Sequence, residues 1–361
     1  METVLYTGSC LPRTLQTNQD LYGIKSIKDN FDLDKAKKSL EKILRKEIIE
    51  QLSNENVFNE WAIQMTGIYQ RRVYTNDFDT REDFIGPVEN MGAEAAKIAL
   101  KYANISPEQL DYINFATFTQ EQTVPNPSCS IAHLIGAPKI PGSHINNACA
   151  GFLYGLVQSY EKLNAGAENV LLVASEQLTK VTDYNDPKTA VLFADGAGAI
   201  ILNKNNSKLL GYSLSSKYSS EHISLKNNPN GGNFVKMGGG RRVLANAVRA
   251  MQKESKQALI DSGLEMKDIK YIIPHQANQR ITTKLAKNLD VPLEKICDTI
   301  ENIGNTSGAS VAIALDKLVK GELPGYTLNQ GDKILLTAVG VGYTMGAVVI
   351  EIGENQLKIA A

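Results

Sequence analysis

The chain has 361 residues, with 38 Lys plus Arg against 39 Asp plus Glu and a formal net charge of -1. That balance builds in no general attraction to nucleic acid or to an anionic membrane surface, so any basic docking patch has to be local. The length exceeds that of a usual single-core domain and points to two halves that bury a core between them. The cysteines Cys10, Cys129, Cys149 and Cys297 form no CxxC pair, and the histidines do not bracket them at zinc-ligand spacing. A reduced, cytoplasmic protein without a metal site is therefore expected. The opening METVLYTGSCLPR does not read as a signal peptide, and no apolar run is long enough to span a membrane.

In chain order, residues 34–52 (DKAKKSLEKILRKEIIEQL) read as one charged helix with Ala36, Leu40, Ile43, Leu44, Ile48 and Leu52 along one side. A surface helix packed by that stripe is the plain reading; a cap over a site or a docking element is the alternative. Residues 92–117 read as helix, Pro-containing break and strand. NNACAG then opens an apolar-periodic helix, placing Cys149 where unpaired N–H groups and the helix dipole favour a thiolate. Free cysteines are also commonly small buried hydrophobes, and this segment alone leaves both readings open. ADGAGAIIL at 194–202 enters a strand, with Asp195 and its glycines shaping a turn.

Residues 251–276 repeat the helix, break and strand of 92–117, and the strand YIIP delivers His275 at its carboxyl end, where α/β sheets place their sites. Asn305, in NIGNTSG, precedes another apolar helix and reads as an N-cap or as an amide donor. The glycine-rich stretches 238–240 and 340–346 do not supply strand, GxGxxG and helix in that order, which argues against dinucleotide binding.

The repeat organises the whole chain. It pairs Tyr112 with Tyr271, Val170 with Ile334 and Gly151 with Gly308 at nearly constant offset. Two α/β halves follow, 1–205 and 206–361, related by a pseudo-twofold and layered α-β-α-β-α with largely parallel sheets. The same symmetry brings the helix starts at Cys149 and Asn305 together, so a nucleophile, a base or donor and an amide converge.

The ordered motifs ACAGF, ADGAGA, PHQANQR and GNTSGAS, with LPR near the start, NEWAIQMTGIYQRR and the closing GVGYTMGA, resemble ketoacyl-acyl carrier protein synthase III of the thiolase superfamily nearly end to end. The resemblance implies a thiolase-like fold, a homodimer and the catalytic set Cys149, His275 and Asn305. Cys149 would take an acyl primer as a thioester; His275 and Asn305 would promote decarboxylation of a malonyl-type thioester for Claisen condensation. It implies no cofactor, only acyl-coenzyme A or acyl-carrier-protein thioesters as substrates. The oxyanion hole would be the backbone of Cys149 and Val341, the latter standing inside the family's Gly-Gly-Gly as a β-branched residue that resists positive φ.

By the same resemblance, Trp61, Thr66 and Asn278 fall at positions that bind coenzyme A or pantetheine, while Arg280, Lys284 and Lys287 fall on a carrier-docking rim suited to an acidic carrier protein. Met65 stands where the family has an Arg, a departure that weakens coenzyme A binding. Val124 occupies the place of an aromatic residue that reaches into the partner's acyl pocket, so a bulkier primer than acetyl is expected. The chain also has an insertion at about 24–59 before Trp61, read as roughly one helix and a loop. Fatty-acid priming and secondary pathways, such as those to alkylresorcinol or cyclohexanedione precursors, both fit. The competing readings are acyl transfer to an oxygen or nitrogen nucleophile without decarboxylation, and a non-catalytic carrier-binding scaffold subunit.

Overall fold

The computed structural model describes residues 5–137, 139–218, 223–225, 234–238 and 240–353. Strand β1 (Tyr6–Cys10) leads to a two-stranded pair, β2 (Thr14–Thr17) with β3 (Gln70–Val73). That pair brackets helices α1 (Asn18–Tyr22), α2 (Lys25–Asn30), α3 (Leu33–Leu40), α4 (Lys46–Gln51) and α5 (Asn54–Thr66). Next come α6 (Pro87–Ala103), β4 (Tyr112–Ala116), α7 (Pro127–Ile135), β5 (Gly142–Ile145), α8 (Gly151–Asn164), β6 (Val170–Gln177), α9 (Pro187–Ala190) and β7 (Asp195–Leu202). The chain continues through β8 (Ser207–Ser216), a small pair β9 (Ile223–Leu225) and β10 (Val235–Met237), and the long α10 (Gly240–Ser262). It closes with β11 (Tyr271–Pro274), α11 (Gln279–Leu289), α12 (Ile300–Ile303), α13 (Ala309–Val319), β12 (Lys333–Val339) and β13 (Thr344–Ile352).

Two sheets result, with strand orders β1-β7-β6-β4-β5 and β8-β13-β12-β11. Their shared four-strand pattern is antiparallel, antiparallel, parallel in both cases. Tyr112 is the register partner of Val170 in the first sheet, and Tyr271 is the partner of Ile334 in the second. These are the residues that the sequence repeat aligns. The expectation of largely parallel sheets is corrected to mixed ones, because β7 and β13 return beside their predecessors without a crossover helix.

The layers follow from which faces are apolar. α6 and α7 cover the outer face of the first sheet, α10 and α11 that of the second, and α8 and α13 lie between the sheets. β6 and β7 are buried along almost their whole length, so they read as continuous apolar runs rather than alternating ones. Close approach in the centre needs missing side chains: a Cβ on Gly198 would lie 2.5 Å from the Cβ of Ala312 on α13.

The helix expected over 34–52 breaks into α3 and α4 around a turn at 41–45. Ala36, Leu40 and Ile49 face inward, whereas Ile43 and Ile48 of the expected stripe are exposed. No Gly or Pro causes the break. Packing of Ala36, Leu40 and Ile49 around Phe58 and Trp61 of α5 outweighs the local helix preference of a Lys- and Glu-rich run.

Candidate active site

Cys149 lies on a single 3₁₀ turn, Ala148–Ala150, immediately before α8. The turn requires a left-handed backbone at Ala148, φ +47°. The 340–342 loop presses against it: a Cβ on Gly340 would sit 2.6 Å from the Asn147 carbonyl oxygen and 3.2 Å from the Cys149 amide nitrogen. Thr344 Oγ1 holds the same carbonyl at 2.8 Å. Positive φ in this loop falls on Gly342 and Tyr343, not on Val341, so the β-branched residue is accommodated without strain. The amides of Cys149 and Val341 both donate toward the Cys149 sulfur.

Burial pushes the Cys149 thiol up to about 11, and the Glu176 carboxylate adds to the rise; the Ser307 hydroxyl and the two amides oppose it. Burial thus favours a resting thiol at neutral pH, against the pull of the helix start toward a thiolate. Desolvation outweighs the dipole here.

The same turn, 305–310, reaches both of the other candidates. Ser307 Oγ donates to Cys149 Sγ at 3.2 Å, and the Ser307 N–H donates to Asn305 Oδ1 at 2.8 Å. Ser310 Oγ lies 2.7 Å from His275 Nδ1 and accepts the Gln276 N–H at 3.2 Å. The Asn305 backbone is clamped between Leu192 and Ala194 by two hydrogen bonds of 3.0 and 2.9 Å. His275 and Asn305 are both buried, and burial lowers the imidazole to about 4, keeping it neutral at physiological pH.

Sequence reading missed three members of this cluster. Ser307 and Ser310 stand in GNTSGAS but look like ordinary helix-start residues. Glu176 is fully buried at the end of β6, accepting from Thr117 and Thr119 hydroxyls and the Phe118 N–H, and burial raises its carboxyl to about 8. An acid near the end of a largely apolar strand, VLLVASEQ, was the available signal.

The entrance residues are occupied structurally. Trp61 is 8% exposed, with its ring 5.0 Å from Phe31 and 5.6 Å from Phe58, so it presents no open face to a nucleotide. Thr66 is spent on the end of α5, donating to the Ala62 carbonyl and accepting the Ile68 N–H. Phe31, on the inserted segment, packs onto the indole. Asn278 caps α11 and donates to the Met65 carbonyl; Arg280 donates to the Gln64 carbonyl and touches Met65 Sδ. Lys284 and Lys287 are exposed on α11. Val124 is 82% exposed in the single chain. Among the described residues no cluster of His, Cys, Asp and Glu could hold a metal ion, and no helix is long and apolar enough to cross a membrane.

Paired α/β halves with a cysteine at a central helix start define a thiolase-fold acyltransferase. Residues 144–218 match the family described as 3-Oxoacyl-[acyl-carrier-protein (ACP)] synthase III, and residues 259–352 match its C-terminal part. The beta-ketoacyl-[acyl-carrier-protein] synthase III of Aquifex aeolicus is 33% identical over 333 residues, which is 91% of this chain and 96% of that protein. The crystal structure of 3-oxoacyl-[acyl-carrier-protein] synthase III from Aquifex aeolicus VF5 superposes with a TM-score of 0.79 at 32% identity, covering 97% of this chain and 99% of the other. The priming beta-ketosynthase of the R1128 polyketide biosynthetic pathway superposes at 0.76 with 28% identity, covering 98% and 96%. The chain belongs to the ketoacyl-acyl carrier protein synthase III family, and is an acyl-transferring condensing enzyme.

Proposed function

We propose that Cys149 carries the acyl primer and that His275 and Asn305 drive a decarboxylative condensation with a malonyl-type thioester. The observation that carries this reading is the 305–310 turn, which touches the cysteine sulfur, orients the Asn305 amide and holds His275 through one short segment.

In loading, Sγ attacks the donor thioester carbonyl, and the amides of Cys149 and Val341 receive the developing oxyanion. The donor's C–S bond breaks, and the departing thiolate takes the proton that Cys149 gave up. In condensation, neutral His275 and the Asn305 amide donate to the extender's thioester oxygen while carbon dioxide leaves, so the electron pair is held as an enolate. With Gln276 N–H already on Ser310 Oγ, the serine hydroxyl proton is free for His275 Nδ1, which puts the imidazole proton on Nε2. The enolate carbon attacks the acyl carbonyl, and Cys149 leaves as thiolate.

The donor and pathway rest on less direct support. A buried Trp61 and a Thr66 without a free hydroxyl favour donors on an acyl carrier protein over coenzyme A, with exposed Lys284 and Lys287 facing an acidic carrier and Arg280 anchoring the rim. Exposed Val124 fits a homodimer in which it lines the partner's acyl pocket and admits a bulkier primer. Fatty-acid initiation and polyketide priming are the two pathway classes consistent with the relatives.

Intact-protein mass spectrometry tests the reading. Wild type and Cys149→Ala are incubated with a panel of acyl thioesters, and carbon dioxide release is followed when malonyl thioesters are added. Cys149-dependent acylation with carbon dioxide release is expected; acylation without release points to transfer onto oxygen or nitrogen, and no acylation at all points to a carrier-binding scaffold.

A further inference from the structure

Ser307 donates a side-chain hydrogen bond to the Cys149 sulfur, and it reaches that sulfur from a conformation that a side chain rarely adopts. Its φ is +52°, it is buried, and among the described residues its hydroxyl makes no other hydrogen bond. The neighbouring Gly308 explains the crowding, since a Cβ there would lie 3.0 Å from the carbonyl oxygen of Ala148, itself in the left-handed region. Two left-handed turns, one before the nucleophile and one after Asn305, thus pack against each other across the pseudo-twofold. A glycine at 307 would relieve the backbone strain and still offer its N–H to Asn305. What serine adds is the hydroxyl against sulfur, held there at the conformational cost that such residues carry.

We infer that Ser307 is a catalytic residue of acyl transfer, its hydroxyl donating to the Cys149 sulfur whenever that sulfur bears negative charge. The inference rests on the reading of Cys149 as the acyl carrier. Negative sulfur occurs twice in the cycle: when the thiol loses its proton and its Sγ–C bond forms as the donor's C–S bond breaks, and again when that Sγ–C bond breaks and the new carbon–carbon bond is made. The acylated sulfur between these steps is a poor acceptor, so the hydrogen bond favours the charged sulfur over the resting thioester.

The surroundings leave this task open. Burial acts against the anion, and so does the Glu176 carboxyl on β6 once it ionises; His275, after β11, is uncharged at neutral pH; the hydroxyl and two backbone amides act for it. Lowering a thiol pKa toward ambient pH by one unit raises the thiolate tenfold and costs about threefold in intrinsic nucleophilicity, a net gain of about threefold. The departing sulfur gains as well, because a thiol of lower pKa leaves faster.

The test is the pH dependence of iodoacetamide alkylation read at the Cys149 peptide, since Cys129 is exposed and reacts too, for wild type, Ser307→Ala and Ser307→Gly between pH 7 and 11. The glycine variant relaxes the backbone and keeps the amide on Asn305, so it separates the hydroxyl from the turn and covers a failure of the alanine variant to fold. A fall of about threefold in alkylation at pH 8 in both variants, the mark of a thiol pKa about one unit higher, is the expected result. Coincident profiles for all three proteins, or a shift in Ser307→Ala that Ser307→Gly does not share, overturn the assignment. Thioester loading of the wild type is scored separately: no acylation sinks the condensing-enzyme reading even if the alkylation profiles shift.

Discussion

Glu176 and His275 impose opposite pH slopes on the same site. His275 has its pKa lowered by burial from 6.5 to about 4, so the unfolded chain binds its proton more readily, and stability is lost as pH falls from 6.5 toward 4. Glu176 has its pKa raised by burial from 4.5 to about 8, so the folded chain holds the proton more tightly; that contribution is complete below 4.5 and is lost as pH rises through 8. Replacing Glu176 with Gln should therefore flatten the decline in urea midpoint between pH 5 and 8.5, a comparison that a chemical denaturation series at fixed pH values makes directly. It should also lower the Cys149 pKa by removing the adverse carboxylate. His275→Ala and Asn305→Ala should still be acylated at Cys149 but release carbon dioxide about 10²–10³-fold more slowly, the usual cost of losing an oxyanion donor.

The inserted helices are the element whose role changed most between sequence and structure. Tyr22, Phe31, Phe58 and Trp61 form one aromatic cluster joining α1, α2 and α5. Trp61→Ala should cost about 3–5 kcal/mol, as large-to-small changes in a packed core do, and calorimetry would read it. Trp61→Phe keeps most of the packing and should leave the KM for a coenzyme A donor within about twofold; a tenfold rise would support the stacking role. The resemblance places Trp61 at the entrance. That Phe31 covers it depends on a chain reversal between α2 and α5, which the 3.6-residue periodicity of either helix does not encode.

Across the whole molecule, the site exists only where the two halves meet. Gly198→Ala should push α13 away from the first sheet, with a loss of about 1–3 kcal/mol from overpacking and a fall in activity, because α13 carries Ser310 and follows the Asn305–Gly308 turn. Sedimentation should show a homodimer. In that dimer Val124→Phe should shift primer preference toward shorter acyl chains, measurable by competition between thioesters.

Much of this was legible in the residues. The repeat that aligns Tyr112 with Tyr271 and Val170 with Ile334 anticipated the register of both sheets, because apolar periodicity and turn residues act locally and recur in each half. Cys149, His275 and Asn305 were readable as candidates because each sits at the end of an element whose type is set by nearby sequence. The tertiary structure alone decided what surrounds them: the desolvation that raises the Cys149 thiol and keeps His275 neutral, the buried carboxyl of Glu176, and the left-handed Ser307 touching the sulfur. Those depend on which groups meet across the pseudo-twofold and how much water is removed, and neither quantity is local in the chain.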